Sequence, residues 1–290
     1  MRGGLLLSAG LVLAVTACQP LPASTSTGTG TGADAGTAGD GDGRGWRLPS
    51  VPGAVDYQLG AAYEPPADVT IVVRDSTAFP AEGRYSICYV NAFQTQPADR
   101  GQWLRSHPHA VLTDADGRPV VDPAWPDELV LDTSTEAARA TIDSVLAETV
   151  ERCAAAGFDA IELDNLDTWL RIEGLTMAGN LALAEQLIAR SHDAGLAVAQ
   201  KNAVELGAHG PGAGFDFAIS EECAALQECA GYRAQYGELH IDVEYVDAMP
   251  TGVTFPELCA QQDAPQLMVL RDLLLTAPDD PGYVFERCQP

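Results

Sequence analysis

The segment GFDAIELDNLDTW, residues 157–169, decides the fold. Its apolar residues alternate with Glu162 and Asp164, which is typical of a β-strand with two different faces. Asn165 and Asp167 follow directly, where the hydrophobic pattern ends. Because side chains two positions apart on a strand share a face, Glu162 and Asp164 point to the same side. We therefore expect a hydrophobic strand that ends in a polar pocket.

Segments of this kind recur along the chain and are separated by stretches with helical periodicity. Their cores are nearly continuous runs of Val, Ile, Ala and Leu, as expected for parallel strands covered on both faces. The predicted strands are 56–60, 69–75, 85–93, 128–133, 158–165, 196–202, 215–220, 239–245 and 267–272. Repeated strand–helix units leave two main architectures, a closed (β/α)₈ barrel and an open doubly wound sheet. No G-x-G-x-x-G motif follows the first strand, so we predict a single α/β domain with a (β/α)₈ TIM-barrel fold.

Two long helices are predicted between these strands. Residues 134–157 carry apolar residues at helical spacing, and Thr133 with Glu136 fits a capping box at the start. Gly157 supplies the stop signal, and residues 177–195 follow the same pattern.

Most of the predicted strands end in polar residues that do not belong in a hydrophobic core. In a barrel, the carboxyl ends of the strands converge on one mouth, where active sites are built. The only histidines close together in sequence are His107 and His109, which suit a polar loop better than zinc, and no G-x-S-x-G motif is present. Carboxylates without these other groups favour glycoside hydrolysis, in which one carboxyl donates a proton and another attacks the sugar or activates water. We expect neither a metal nor a cofactor.

The first 45 residues point to export. Residues 1–18 combine one basic residue, an apolar run and a small-residue cleavage region, which is typical of a secretory signal peptide. The signal ends at Cys18 in a sequence that resembles a bacterial lipobox; an ordinary secreted protein with a chance cysteine is the alternative. Residues 19–45, rich in Thr, Gly, Ala, Ser and Asp, predict a flexible tether. We expect residues 46–290 to form the domain, lipid-anchored on the outer face of the bacterial cell membrane.

The cysteines predict disulfide bonds. Six remain besides Cys18, and an even number in an exported protein favours disulfides over free thiols or metal ligands. Six cysteines allow fifteen pairings. The pairing we expect is Cys88–Cys153, Cys223–Cys229 and Cys259–Cys288.

The formal net charge of −25 restricts the class of partner. A nucleic-acid-binding protein would carry a basic patch, so this class is excluded. An acidic surface has two explanations, solubility and the attraction of a cationic substrate.

Several segments, taken in order, resemble glycoside hydrolase family 114, the endo-α-1,4-polygalactosaminidases. The segments are CYVNAF, CAAAGFDAIELDNLD, AQKN, FDFAISEECAALQEC and VEY. The resemblance covers nearly the whole chain from Trp46 onward. This chain departs from the family pattern at Leu163, at Ser220 and in the stretch 91–93.

The resemblance implies a (β/α)₈ barrel that cleaves α-1,4-linked galactosamine polymers. Residue by residue, it implies Asp164 as the nucleophile and Glu221 as the acid/base of a retaining mechanism. Glu222 is the neighbouring alternative, and the position of Cys223 favours Glu221. We expect Lys201 or other donors to keep Asp164 ionised.

Other residues at the strand ends are expected to bind sugar. Carboxylates and amides suit the ammonium and hydroxyl groups of galactosamine, aromatic rings suit sugar faces, and Lys201 has pairing with the acids as an alternative role. The expected substrate-binding residues are Glu162, Asn165, Asp167, Lys201, Asn202, Tyr89, Glu244, Tyr245 and Asp56.

The expected partner is a cationic amino-sugar polysaccharide, bound by a monomer that contacts the membrane only through its lipid. Two alternatives remain open from the residues. One is a non-catalytic carbohydrate-binding barrel lipoprotein, and the other is a barrel hydrolase acting on another amino-sugar glycan.

Overall fold

The computed structural model describes residues 44–288. The predicted signal peptide, Cys18 and residues 19–43 of the predicted tether lie outside the described residues. None of the helices formed by residues 44–288 has the length and apolar content that a membrane-spanning helix needs.

Eight parallel strands follow one another in chain order around the sheet, and a ninth pairs antiparallel with the eighth. The strands are β1 (Val55–Gln58), β2 (Ile71–Asp75), β3 (Tyr85–Asn91), β4 (Ala160–Asp164), β5 (Ala197–Lys201), β6 (Phe217–Glu221), β7 (His240–Tyr245), β8 (Leu267–Arg271) and β9 (Phe285–Arg287). The helices are α1 (Arg100–Ser106), α2 (Glu136–Ala156), α3 (Thr168–Arg171), α4 (Met177–Asp193), α5 (His209–Ala213), α6 (Cys223–Leu226), α7 (Cys229–Tyr236) and α8 (Phe255–Cys259). The sheet curves into a nearly closed barrel, which confirms the predicted fold class.

One side chain bridges the seam between β1 and β8. Arg271, the last residue of β8, is fully buried and donates hydrogen bonds to the backbone oxygen of Tyr57 and, at 3.4 Å, to Oδ1 of Asp56. Its other N–H groups donate to the carbonyl oxygens of Thr276 at 2.8 Å and Val284 at 2.9 Å. Arg271 therefore joins the first and last parallel strands where no backbone ladder is formed between them.

The strands separate two layers of the hydrophobic core. One cluster takes residues from all eight parallel strands and none from a helix, so it fills the barrel interior; Ile71, Phe217 and Ile241 belong to it. The alternate residues of the same strands, such as Leu163 and Val198, pack against the surrounding helices. The parity of a position along its strand therefore decides whether a side chain faces the interior or the helices.

The segment 128–133 is not a barrel strand, and this prediction was wrong. Leu129, Val130 and Leu131 are fully buried, but they make only isolated antiparallel bridges within the connection between β3 and α2. Their apolar run covers the core under a long loop, which periodicity alone does not distinguish from a strand. The structure adds β9, which has an intermediate–exposed–intermediate burial pattern and gave no hydrophobic signal in the sequence.

The predicted start of α2 was displaced by two residues. Thr135, not Thr133, is the N-cap: it has extended φ and ψ angles, and its hydroxyl accepts the N–H of Ala138 at 3.2 Å. Thr133 is fully buried instead, and its hydroxyl donates to Oδ1 of Asn180 on α4 at 2.6 Å. The predicted stop is confirmed, since Gly157 ends α2 with φ of 94°.

The six cysteines form the three expected pairs. The disulfides are Cys88–Cys153, Cys223–Cys229 and Cys259–Cys288. The first joins β3 to α2 and the second joins α6 to α7, while the third fastens the end of the described chain to α8.

Candidate active site

Three carboxylates surround one ammonium group at the carboxyl ends of β4, β5 and β6. The Nζ atom of Lys201 lies 3.0 Å from Oε1 of Glu162, 3.3 Å from Oδ1 of Asp164 and 3.5 Å from Oε2 of Glu221. All four residues have the parity of the barrel interior, so their side chains converge from neighbouring strands. Lys201 is the only lysine in the sequence, and its side chain is only 3% exposed.

Each carboxylate also accepts a hydrogen bond from one tyrosine of another strand. The hydroxyl of Tyr57 donates to Glu162 at 2.7 Å, that of Tyr89 donates to Asp164 at 2.6 Å, and that of Tyr245 donates to Glu221 at 2.6 Å. Burial raises the pKa of Tyr57, Tyr89 and Tyr245 well above the usual value, so all three hydroxyls keep their protons and remain donors. The carboxylates are therefore held from two sides.

The cluster keeps Asp164 ionised. Burial raises the pKa of Asp164, but the Lys201 ammonium and the Tyr89 hydrogen bond together bring it below its usual value. Burial lowers the pKa of Lys201, and the carboxylates around it raise it to well above its usual value. The Lys201 ammonium therefore lies where it favours the charged form of Asp164, as the sequence suggested.

Glu162 differs from Asp164 in its access to solvent. Burial raises the pKa of Glu162 to about 7, against the opposing effect of Lys201. The Glu162 side chain is fully buried, and its Oε2 has no hydrogen-bond partner among the described residues, whereas the Asp164 side chain is 17% exposed. Glu162 therefore lies beneath the site and supports Lys201, while Asp164 opens to the mouth.

The backbone turns sharply just beyond these strand ends. Asn165, Asn202 and Glu222 follow the last residues of β4, β5 and β6, and all three have positive φ angles, of 63°, 47° and 62°. Non-glycine residues adopt this conformation rarely, and such positions cluster at functional sites. The turns direct the chain out of the barrel immediately after the residues that form the site.

Glu221, and not Glu222, belongs to the cluster. Its Oε2 accepts a hydrogen bond from Nδ2 of Asn202 at 2.9 Å, and its own N–H donates to Oδ1 of Asn202 at 2.8 Å. Its side chain is 29% exposed, which leaves the carboxyl accessible from the mouth. The N–H of Glu222 donates to the backbone oxygen of Val243. The geometry therefore agrees with the choice that the position of Cys223 suggested.

A family model described as "Glycoside-hydrolase family GH114" matches residues 36–290. The chain belongs to this family. It is therefore a glycoside hydrolase, and the resemblance inferred from the sequence is confirmed.

Solved structures agree with the GH114 assignment at the level of the fold. The structure of Aspergillus fumigatus Ega3 in complex with galactosamine is 20% identical, with a TM-score of 0.67 over 83% of this chain and 97% of that chain. The glycoside hydrolase domain of PelA from Pseudomonas aeruginosa is 16% identical, with a TM-score of 0.54 over 80% of this chain and 97% of that chain. No curated protein matches this chain in sequence.

A second polar network lies beside Asp164 in this GH114 site. Asn165 donates to Oδ1 of Asn91 at 2.9 Å, and Asn91 donates to Oε2 of Glu128 at 2.7 Å. Arg171 donates to Oδ1 of Asn165 at 2.6 Å and forms ion pairs with Asp167 and with one further buried carboxylate, Asp122. Asp167 is therefore paired within the protein.

Glu128 and Arg171 were missed in the sequence because neither ends a barrel strand. Glu128 is half-buried, and burial raises its pKa above the usual value. It lies in the connection between β3 and α2, and Arg171 is the last residue of α3. Only the tertiary placement of these two segments brings both residues to the rim.

Two residues expected to bind substrate lie elsewhere, and these predictions were wrong. Asp56 and Glu244 are fully buried. Asp56 accepts hydrogen bonds from Gln58 and Tyr63 at 2.8 Å, next to the Arg271 seam. The physical reason is parity: Asp56 and Glu244 alternate with interior residues of the same strands and so face outward, toward the helices.

Proposed function

We propose that this glycoside hydrolase cleaves α-1,4-linked galactosamine-containing polysaccharide with retention of configuration. Asp164 is the nucleophile and Glu221 is the acid/base. The observation that supports this most is the position of both carboxylates, which are solvent-accessible and end β4 and β6, the strands that flank β5 with its Lys201 ammonium. Two carboxyls within reach of one glycosidic bond are the requirement for this chemistry.

In the first half of the reaction, a carboxylate oxygen of Asp164 bonds to the anomeric carbon as the glycosidic C–O bond breaks. Glu221 transfers its proton to the departing oxygen, so that a neutral hydroxyl leaves. Lys201 and Tyr89 contribute by keeping Asp164 ionised before the attack. The product is a glycosyl ester on Asp164 with the inverted configuration.

In the second half, the Glu221 carboxylate removes a proton from a water molecule that attacks the same carbon. The bond to Asp164 breaks, Asp164 returns to its ionised form, and the second inversion restores the original configuration. Asn202 and Tyr245 hold the Glu221 carboxyl in one direction throughout both steps.

The distances suit retention. Oδ1 of Asp164 and Oε2 of Glu221 lie 3.3 Å and 3.5 Å from the same Nζ atom, so these two oxygens are at most about 6.8 Å apart, the sum of the two distances. Retaining enzymes separate their carboxyl groups by about 5–5.5 Å and inverting enzymes by about 6.5–9.5 Å. The upper bound accommodates the separation found in retaining enzymes and so supports retention.

The proposed substrate is a cationic polymer. A net charge of −25 attracts polycations, and unpaired sugar ammonium groups favour carboxylates. The Ega3 structure, which has the same fold, contains galactosamine. Cleavage at the cell surface follows from the proposed lipid anchor at Cys18; Cys18→Ser should release the enzyme from membrane fractions, and unchanged partitioning would contradict lipidation.

Product analysis tests the proposal. The purified enzyme is incubated with α-1,4-galactosaminoglycan in fully acetylated and partly deacetylated forms, and the anomer first released is recorded by proton NMR. We expect shortened oligomers from the deacetylated polymer with the α configuration at the new reducing end. Release of the β anomer would overturn retention, and binding without cleavage would support the carbohydrate-binding alternative. Cleavage of another amino-sugar glycan alone would overturn the proposed substrate.

A further inference from the structure

A second group of buried carboxyls lies behind Glu221, on the outward face of β7. Asp242 and Glu244 are fully buried, and Oδ2 of Asp242 and Oε2 of Glu244 receive no N–H or O–H donor from any other described residue. The two residues stand two positions apart on β7, so both side chains lie on the same face of the strand. Burial without a cationic partner favours the neutral form of a carboxyl, so we expect the pair to hold one proton.

The inner oxygens of this pair bind the backbone that follows Glu221. Oδ1 of Asp242 accepts the N–H of Cys223 at 3.1 Å, and Oε1 of Glu244 accepts the N–H groups of Ala224 at 2.8 Å and Ala225 at 3.2 Å. Three successive amides of α6 are thus fixed by β7.

A hydroxyl immediately before Glu221 is bound to the same pair. Ser220 donates to Oδ1 of Asp242 at 2.5 Å, and its oxygen lies 2.7 Å from Nε2 of His240. The pair therefore holds the chain on both sides of Glu221 and of the strained residue Glu222, whose φ is 62°.

We propose that Asp242 and Glu244 are positioning residues for the acid/base: their inner oxygens hold residues 220–225 in place and so fix the direction of the Glu221 carboxyl. This inference rests on the proposed role of Glu221. The pair does not contact the mouth, since both side chains are fully buried.

The surroundings of the pair explain why a proton, and not a cation, neutralises it. Among residues 44–288 no arginine or lysine forms an ion pair with either carboxyl. His240, stacked on Tyr232 at 4.8 Å, is neutral because burial lowers its pKa to about 3, and Glu222 is the further carboxyl near Glu244. Burial, and next the charge of Glu244, raise the pKa of Asp242 well above its usual value. Cys223 is within reach of His240 and Asp242, but its sulfur is in a disulfide and offers no thiolate to a metal.

Asp242→Asn is the decisive variant. Its amide oxygen accepts the same bonds from Ser220 and Cys223, and its amide N–H donates permanently to Glu244, which replaces the shared proton. Asp242→Ala removes both functions. Asp193→Asn, on an exposed residue at the end of α4, is the matched control.

We expect Asp242→Asn to keep kcat within about twofold of the wild type. Asp242→Ala should lower kcat by about 10²-fold with little change in KM, because a misdirected proton donor slows the chemical step more than binding. An Asp242→Ala variant with unchanged kcat, or an Asp242→Asn variant as slow as Asp242→Ala, would overturn the inference. If the wild type itself cleaves no galactosaminoglycan, the proposed function has failed, which is a separate result.

The pH dependence of the Tm tests the shared proton without a substrate. Because the pKa of Asp242 is raised in the folded state, its contribution to stability is complete below its unfolded value, about 3.9, and is lost as the pH rises through the folded value. The Tm of the wild type should therefore fall with rising pH more steeply than that of Asp242→Asn. Equal slopes would show that no proton is shared, even if Asp242→Ala does not fold.

Discussion

Two groups of carboxyls lie on opposite faces of the barrel sheet, and their negative charge is compensated in different ways. On the inner face, Glu162, Asp164 and Glu221 surround the ammonium of Lys201. On the outer face, Asp242 and Glu244 form no ion pair with any residue of 44–288, and burial raises the pKa of Asp242 well above its usual value. Asp164 and Glu221 of the first group open to the mouth, whereas both carboxyls of the second group are fully buried.

The difference shows that the role of a carboxyl on a strand cannot be assigned until we know which face of the strand carries it. A cation in a buried site keeps a carboxylate charged, whereas burial without a cation keeps it protonated. Asp164 is thus prepared to attack a carbon atom, and Asp242 is prepared to donate a hydrogen bond. Both residues are aspartates of barrel strands, β4 and β7, and they differ in the face they occupy and in their partners.

Replacement of the nucleophile tests this comparison with the largest expected effect on activity. Asp164→Asn keeps the shape of the side chain but removes the attacking charge, so we expect kcat to fall by about 10⁴-fold or more while polymer binding is retained. Turnover is measured by reducing-end release and binding by co-sedimentation with the polymer. Asp193→Asn, exposed and remote, is the control and should be fully active. Substantial activity in Asp164→Asn would remove the inner cluster from the chemistry.

Replacement of the acid/base should have a smaller and substrate-dependent effect. Glu221→Gln cannot transfer a proton, and we expect kcat on the polymer to fall by about 10²–10⁴-fold. With an aryl glycoside whose phenolate leaves without protonation, the first step should be restored and the glycosyl-enzyme should accumulate, which mass spectrometry detects. Glu185→Gln on the exposed face of α4 provides the control. An equal loss on both substrates would contradict the assignment of Glu221.

Much of this site was predictable because strand order and alternation are local properties of the sequence. Residues 157–169 alone place Glu162 and Asp164 at one strand end, and family motifs add Lys201 and Glu221. The same alternation could have excluded Asp56 and Glu244, the two residues wrongly predicted to bind substrate. Tyr245 has the parity of Ile241 and Val243 in the barrel interior, so Glu244 between them had to face the helices.

The remaining features depend on contacts that no local pattern encodes. Leu129 to Leu131 form an apolar run like those of the strands, and only the tertiary fold shows that it lies under a loop. Glu128 reaches the rim through Asn91, which is distant in sequence. Arg271 is a charged residue at the end of an apolar strand, and its function in the seam can be recognised only once β1 is known to lie next to β8.

Removal of the ammonium should make the inner cluster behave more like the outer pair. Without Lys201, burial dominates and the pKa of Asp164 rises, so we expect the acidic limb of the kcat/KM profile of Lys201→Gln to move to higher pH. Breaking this buried network should also cost about 3–5 kcal/mol of unfolding free energy. The pH profile and chemical denaturation measure the two effects. Lys201→Arg retains the charge, and we expect it to restore part of the profile; an unshifted limb in Lys201→Gln would show that Lys201 does not control Asp164.

The smallest expected effect concerns Glu162, which combines features of both groups. It contacts Lys201 like its neighbours, yet it is fully buried with an unpartnered oxygen like the outer pair, and burial raises its pKa to about 7. A raised folded pKa means that its contribution to stability is complete below about 4.5 and is lost as the pH rises through about 7. Glu162→Gln removes this titration but keeps an oxygen that accepts from Tyr57, so its unfolding free energy should change less between pH 4.5 and 7. From the pKa values at about 1.36 kcal/mol per unit, the difference between the two proteins amounts to roughly 3 kcal/mol at most. Denaturation at several pH values measures this difference, with Glu185→Gln as the control. If the unfolding free energies of the wild type and Glu162→Gln change with pH in parallel, Lys201 keeps Glu162 ionised. The inner cluster would then contrast with the outer pair at all three of its carboxyls.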